Sequence, residues 1–319
     1  MYRIQPPVIA RRCANSDSAI NRRRIRFPRF MLAFVLLLGP APAWAWGATG
    51  HKLACGIAYQ LLGKSQQQAV DRLLKAYRTP DGRSFRYFSQ ACVLADIARG
   101  RARDGRHGWK RFERFDNWHF INLPRSAKKP LLKHCGAGCV HQAIEFHRGR
   151  FADTSLSENE RAEALFMLGH WIADAHQPMH VSFADDRGGN RVRIINTPGV
   201  ASHNMHQLWD TELVDNVVNG RKWWQYAARL ADSIKPKEKS SWANGDALTW
   251  IAESYDITIA PRTRYCSWKR GWLTSRCEGS KSVSLNSDYL NRHSSAVLRR
   301  LRQSGYRIAM IISTAPDAR

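Results

Sequence analysis

The sequence predicts an all-α protein, a single mainly helical domain with one small β-hairpin region. Apolar residues recur at helical spacing through most of residues 51–312. Strand-like alternation of β-branched residues is confined to residues 191–195, and no long linker or internal repeat divides the chain beyond residue 45.

Taken in order, residues 51–62 form a first helix with Leu53, Ile57, Leu61 and Leu62 as its apolar stripe, and residues 66–77 repeat the pattern with Val70, Leu73 and Leu74. Thr79-Pro80-Asp81-Gly82 is a turn. Residues 90–98 read as a helix carrying Asp96, with Arg99 following and Gly100 able to end it. Residues 104–108 are loop-like, and Trp118 to Pro124 is a short extended segment closed by proline. Residues 140–151 are helical. Ser157-x-x-Glu160 then opens, as a capping box, a helix that must stop at Pro178. The turn Asp186-Arg187-Gly188-Gly189-Asn190 leads into residues 191–195, the expected hairpin. Helices follow from Met205, over 222–234 and over 247–259, with Lys235-Pro236-Lys237-Glu238-Lys239 as a solvated linker. Residues 289–312 make a long terminal helix, expected to break near Gly305.

Charge and cysteines narrow the setting. Of 319 residues, 50 are Lys or Arg and 26 are Asp or Glu. Residues 1–45 hold eight Arg and one Asp, then an apolar run over 31–38, then Ala43-Trp44-Ala45. That order describes a secretory signal peptide removed by cleavage after Ala45. The apolar run is too short to span a membrane, so the mature chain, 46–319, is expected to be secreted or periplasmic with no membrane span. It would keep 42 basic residues (50 less eight) and 25 acidic ones (26 less one), about +17. Such a balance suits a polyanionic partner, and equally a basic surface kept for solubility. Cys13 falls in the leader, leaving six cysteines in an exported chain, so disulfides are expected. Cys135 with Cys139 and Cys266 with Cys277 are the short-loop pairs, which would leave Cys55 with Cys92. Six cysteines allow fifteen pairings.

Residues 168–180 concentrate the chemistry. His170 and Asp174 stand at i and i+4 on one helix face, and His180 returns beyond the Pro178 turn. His176 lies about 200° round the helix from Asp174 and so need not share their partner. Leu165, Phe166, Leu168, Trp171 and Ile172 surround the pair with core-type residues, and a buried His and Asp need a partner that a metal supplies. His206 and Asp210 repeat the i, i+4 pattern. With His51, Asp96, His119 and the α-amino group of Trp46, the candidate donors are nitrogen and carboxylate alone, a set suited to zinc. Taken singly, each histidine reads more simply as a hydrogen-bonded core or surface residue.

The chain resembles the zinc-dependent single-strand nucleases of the S-one/P-one type. The resemblance runs from Trp46 to about Ile312. It is carried by Trp46 with His51 five residues on, Ala95-Asp96-x-x-Arg99, Trp118-His119-Phe120-Ile121, Gly169-His170-x3-Asp174-x-His176-Gln177-Pro178-x-His180, Gly188-Gly189-Asn190 and His206-x-x-Trp209-Asp210. Ser304-Gly305-Tyr306-Arg307-Ile308-Ala309 also looks like the family's closing helix.

What the resemblance implies is a phospholipase C/nuclease-type fold with three zinc ions in one cleft. Asp96, His119, His170 and Asp174 would hold the first. Trp46, through its amino and carbonyl groups, would hold the second with His51 and the shared Asp174. His180, His206 and Asp210 would hold the third. The implied reaction is hydrolysis of phosphodiester bonds in RNA and DNA, single strands preferred, to 5′-phosphorylated products, with room for a 3′-nucleotidase activity. Asp96 and Asp174 would act in catalysis through the metals, Arg99 would face the phosphate, and Phe120 would stack a base. Asn122 departs from the family pattern, which has Asp reading the base edge. Protein partners are not implied, and a monomer is expected. Zinc-dependent phospholipase C is the nearest rival, but it sets its first His further from the terminal Trp and closes its last ligand pair with Glu. A basic protein binding polyanions through structural zinc alone is the other rival.

Overall fold

The structure is a computed structural model and describes residues 46–270 and 275–316. The signal-peptide reading of residues 1–45 falls outside the described residues.

The centre of the fold is a helix that sequence alone makes apolar on every side. The helices are α1 (Ala48–Leu61), α2 (Lys64–Ala76), α3 (Phe88–Ala91), α4 (Leu94–Arg103), α5 (Val140–Ala152) and α6 (Glu158–Ala175). After them come α7 (Met205–Gln207), α8 (Leu213–Val218), α9 (Trp223–Asp232), α10 (Pro236–Trp242), α11 (Ala247–Ile259) and α12 (Tyr289–Thr314). In α6 every residue from Ala164 to Ala175 is buried, so the helix is hydrophobic all round and sits inside the molecule. Its start is the expected capping box. The Glu160 carboxylate accepts from the Ser157 N–H at 3.1 Å, and the Ser157 hydroxyl accepts from the Glu160 N–H at 3.3 Å. It ends at Ala175, before Pro178 enters a single 3-10 turn.

Two glycines let the helices approach closely. A Cβ on Gly169 would lie 2.7 Å from the sulfur of Cys92 and 2.8 Å from that of Cys55, so the Cys55–Cys92 disulfide rests against α6 where it carries His170. A Cβ on Gly305 would lie 2.5 Å from Ile57 and 2.9 Å from the Ala54 carbonyl oxygen. Gly305 is therefore a packing contact between α12 and α1, and α12 runs through it unbroken, contrary to the expected break. The remaining disulfides, Cys135–Cys139 and Cys266–Cys277, complete the expected pairing.

The strands differ most from expectation. β1 (Ile121–Leu123) pairs in parallel with β2 (Val181–Phe183), with Asn122 opposite Ser182. β3 (Arg193–Ile194) keeps only a trace of the expected hairpin, an antiparallel bridge from Arg193 to Asn204 flanked by the Ile194–His203 and Met205–Val192 backbone hydrogen bonds. It pairs in parallel with β6 (Ser282–Val283), nearly 90 residues away, because Gly188 and Gly189 at positive φ turn the chain before it. β4 (Ser267–Arg270) pairs antiparallel with β5 (Ser275–Glu278). Residues 90–98 are likewise not one helix, since α3 ends at Ala91 and α4 runs past Gly100 to Arg103. The expected linker at 235–239 opens α10: Pro236 takes the first helical position and Glu238 accepts from the Lys235 N–H at 3.0 Å. Among the described residues no helix is long and apolar enough to cross a membrane.

Candidate metal centre

Six parts of the chain deliver side chains to one buried space. α1 brings His51, α4 brings Asp96, the segment before β1 brings His119, and α6 brings His170 and Asp174. The turn after α6 adds His180, and the segment from α7 adds His206 and Asp210 across a π-helical turn that keeps them adjacent at 3.0 Å. Each is at most 7% exposed.

Asp174 organises the space. One carboxylate oxygen lies 3.5 Å from His51 Nε2 and 3.3 Å from His180 Nδ1. The other lies 3.1 Å from His119 Nδ1 and 3.2 Å from His170 Nε2. Asp96 stands 3.8 Å from His170 and 3.9 Å from His119, and Asp210 stands 3.5 Å from His180 Nε2. Three groups could each hold a cation, with donor atoms within 4.8 Å of one another: His51, His170 and Asp174; Asp96, His119 and His170; and His180, His206 and Asp210.

The backbone aims these rings. Nδ1 of His170 donates to the Cys92 carbonyl at 2.8 Å, that of His180 to the His119 carbonyl at 2.7 Å, and that of His206 to the Gly188 carbonyl at 2.7 Å. A ring that donates from Nδ1 keeps a lone pair on Nε2, which is the ligating form. The residues fit a metal by another sign as well. Both nitrogens of His51, Asp96 Oδ2, Asp174 Oδ1, His180 Nε2 and Asp210 Oδ2 are buried without a hydrogen bond. Buried polar atoms are ordinarily satisfied, and the residues that carry these six surround the same space.

Electrostatics agree. Burial holds the His51 imidazole far below its ordinary pKa and His119 at about 3, so both stay neutral donors. Burial lifts Asp96 to about 7. Burial would raise Asp174 too, but His170 and His180 outweigh it and keep the carboxylate ionised. Asp174 and Asp210 overcome the burial of His180 and raise it to about 10, so without a metal this ring carries a proton on Nε2 that a bound cation would displace. The three carboxylates favour positive charge, and the neutral imidazoles favour a Lewis acid. A divalent cation is both.

A family profile decides among the three readings that the motifs left. It is described as S1/P1 Nuclease and matches residues 46–316. The chain belongs to the S1/P1 nuclease family. Its activity is hydrolytic cleavage of nucleic acid, and both the phospholipase and the non-catalytic reading fall away. Endonuclease 1 of Arabidopsis thaliana is 26% identical over 302 residues, which cover 89% of this chain and 91% of the relative. Nuclease P1 of Penicillium citrinum is 31% identical over 235 residues, with coverage of 70% and 78%. Nuclease S1 of Aspergillus oryzae is 25% identical over 280 residues, with coverage of 83% and 90%.

Around the nuclease centre the other singled-out residues find definite places. Arg99 stands one turn beyond Asp96 on α4, partly buried, with its Nε 3.9 Å from Asp116. Burial and the neighbouring Arg103 lower its pKa from the usual arginine range. Phe120 is half-buried at the start of β1, and Asn122 falls on the same side of that strand two residues on. The Asn122 Oδ1 is buried and makes no hydrogen bond. It lies beside Gly188, whose missing Cβ would sit 3.7 Å from it and 3.3 Å from His206 Nδ1. Trp46 is buried, with its indole over Gly50, and the Gly47 N–H donates to the Asp210 carbonyl at 2.8 Å. The start of the domain is thereby pinned to the segment that carries the third group.

His176 stands apart from the cluster, as expected. Its Nδ1 donates to the Ile172 carbonyl at 2.7 Å and its Nε2 faces Arg307 at 2.7 Å. Two residues that matter were not singled out from the sequence. The Gln177 amide donates to Asp210, and Asp116 holds Arg103 at 3.0 Å as well as facing Arg99. A buried amide between the His176 and Pro178 of one motif was the only signal for Gln177. Asp116 had none, because its role depends on how a 3-10 turn (Lys110–Phe115) folds onto α4.

Proposed function

We propose that the protein is an exported zinc nuclease carrying three zinc ions, which cleaves single-stranded DNA and RNA to 5′-phosphorylated products and also acts as a 3′-nucleotidase. Asp96, His119, His170 and Asp174 hold one ion. Asp174, His51 and the α-amino and carbonyl groups of Trp46 hold its neighbour, and His180, His206 and Asp210 hold the third. The observation that carries this reading is the convergence of unpartnered buried donor atoms around Asp174. When bound, zinc supplies Lewis acidity toward phosphoryl oxygens and lowers the pKa of the attacking water to about 7.

The chain's own residues do the remaining work. Asp174 presents one oxygen to each side of the cleft, so a single carboxylate fixes the spacing of two donor sets. Arg99 at the rim contributes positive charge to the phosphate's non-bridging oxygens. Phe120 stacks a base, and Asn122 reads its edge with an amide that both donates and accepts. Removal of residues 1–45 leaves 46–319 as the mature nuclease domain, acting as a monomer outside the cytoplasm. It also frees the Trp46 amine, whose ordinary pKa of about 7.7–8.0 lets a metal deprotonate it readily.

Metal analysis of the mature protein together with product analysis on a defined oligonucleotide tests this. Three zinc ions per chain, EDTA-sensitive activity and 5′-phosphate ends are expected. A chain that cleaves fully after its metal is stripped, or that leaves 3′-phosphates, refutes it.

A further inference from the structure

Along α1 from His51, the surface opens into a groove with aromatic walls and a basic rim. A cavity of about 560 Å3 is lined by Tyr59 and Gln60 of α1, by Tyr87 and Gln90 around α3, and by Trp223 and Trp224 of α9. A second cavity of about 550 Å3 shares Tyr59, Asp71, Arg86 and Tyr87 with the first and continues to Lys75 and Arg78. Tyr59 lies eight residues beyond His51, so about 12 Å along the helix and turned by about 80° from it. The groove is therefore attached to the helix that serves the catalytic centre without being part of that centre.

Its side chains suit an unstacked nucleic-acid strand. Tyr87 is 48% exposed and Trp224 is 52% exposed, which leaves two large rings facing water at one depression. The Arg86 guanidinium lies 5.2 Å from the Tyr87 ring centroid, and the Lys222 ammonium lies 5.6 Å from that of Trp224. Each ring thus has a cation over one face, leaving charge for a phosphate next to an aromatic surface on which a base can stack. The wall holds one carboxylate, Asp71, and the Tyr59 hydroxyl binds both its oxygens at 3.0 Å. The amides of Gln60 and Gln90 offer donors and acceptors to base edges without charge. Lys75, Arg78, Arg86 and Lys222 against Asp71 make the rim complementary to a polyanion rather than to an apolar protein surface.

We propose that this groove is a second strand-binding site, where bases stack on Tyr87 and Trp224 while the flanking Lys and Arg side chains meet phosphates. The inference rests on the nuclease reading and deepens it. A strand held here at one point is presented to the centre at another as an intramolecular partner, so long substrates are retained and short ones gain nothing.

The test compares the zinc-loaded wild type with Tyr87→Ala/Trp224→Ala on two substrates, a thymidine strand of about 30 nucleotides and a thymidine dinucleotide. The longer strand exceeds the roughly 4–16 nucleotides that such a site covers. KM for the long strand should rise about tenfold or more with kcat unchanged, in line with the loss of base stacking. The dinucleotide kinetics should not move, and Tyr87→Phe/Trp224→Phe should restore the long-strand KM where leucine at both positions does not. In parallel, a phosphorothioate strand carrying 5-iodouridine should photo-crosslink to Tyr87 or Trp224 of the wild type. An unchanged long-strand KM overturns the proposal. So does an equal change on both substrates, restoration by leucine, or crosslinks confined to Phe120. A wild type that degrades neither substrate overturns the nuclease reading instead, and the crosslink then still decides the groove.

Discussion

His119 Nδ1 lies 3.1 Å from the Oδ2 of Asp174 although 55 residues separate them in the chain. The contact joins the segment leading into β1 to the last turn of α6. It also explains why Asp174 is the most exposed point of failure in the centre. Its two oxygens face four imidazoles, so removing it strips a donor from more than one group at once. Asp174→Ala should lower zinc content and reduce activity by more than the roughly 10–100-fold that loss of a supporting residue costs a metal site. Metal analysis and initial rates on denatured DNA check this, and a variant with full zinc and near-normal rates contradicts it.

The Trp46 amine provides a second expectation. Trp46 is fixed by its indole over Gly50 and by the Gly47–Asp210 contact, so a preceding residue would find little freedom to move aside. Mature protein prepared with one extra residue before Trp46 should bind less zinc and lose activity. Intact zinc and full activity in that protein would show that the amine is not a ligand.

Gln177 should matter through Asp210. Its amide donates to one Asp210 oxygen and its carbonyl accepts from the Met179 N–H, which fixes the amide between the third group and the turn at Pro178. Gln177→Ala removes the donor on that oxygen and leaves Asp210 held only by its His180 and His206 contacts. Zinc affinity at the His180, His206 and Asp210 group should fall by about 10–100-fold, with the other two groups unaffected. Competition with a chelator of graded strength measures this, and uniform weakening of all three groups would mean that the change had disturbed the fold.

Asn122 is expected to set base preference. Its Oδ1 is buried without a hydrogen bond beside Gly188, while the side chain as a whole is only half-buried, and a base edge arriving there would meet its amide. Asn122→Asp exchanges a donor for a second acceptor and should change the order of rates on the four homopolymers without removing zinc. Unchanged rates on all four would sink the assignment.

Much of this centre could be read from the chain because helical periodicity and proline chemistry are local. His170 and Asp174 share a face by spacing alone, and Pro178 forces the turn that returns His180. The disulfide partners were also legible, since two of the pairs are closed by short loops. What stayed hidden depends on distant parts of the chain meeting. The pairing of β3 with β6 and of β1 with β2 joins segments about 60 to 90 residues apart, which no local pattern announces. Gly305 looked like a helix breaker, yet it is the place where Ile57 of another helix needs the room. The segment from Lys235 looked solvated because its charges were visible. The carboxylate of Glu238 that caps α10 also receives Arg302 from α12 at 3.2 Å, and that partner was not.

The buried base of α6 provides a pH-dependent test. Glu253 accepts from Arg300 at 2.5 Å and from Arg307 at 2.6 and 2.8 Å, and Arg307 also contacts His176. Burial would raise the Glu253 carboxyl, but the two arginines outweigh it and hold its pKa below the ordinary value. A folded pKa below the unfolded one, which is about 4.3, means that the ionised carboxylate stabilises the fold above that pH and loses the effect as pH falls through the folded value. Glu253→Gln should therefore cost about 2–3 kcal/mol near pH 7, less than a fully enclosed pair because the side chain is a third exposed. The gap to wild type should begin to narrow as the pH drops below about 4 and shrink further toward the folded pKa. Urea unfolding of both proteins in chelator, at pH 7 and at pH 3.5, measures it. A gap of constant size across that range would assign the cost of the substitution to packing rather than to the charge on Glu253.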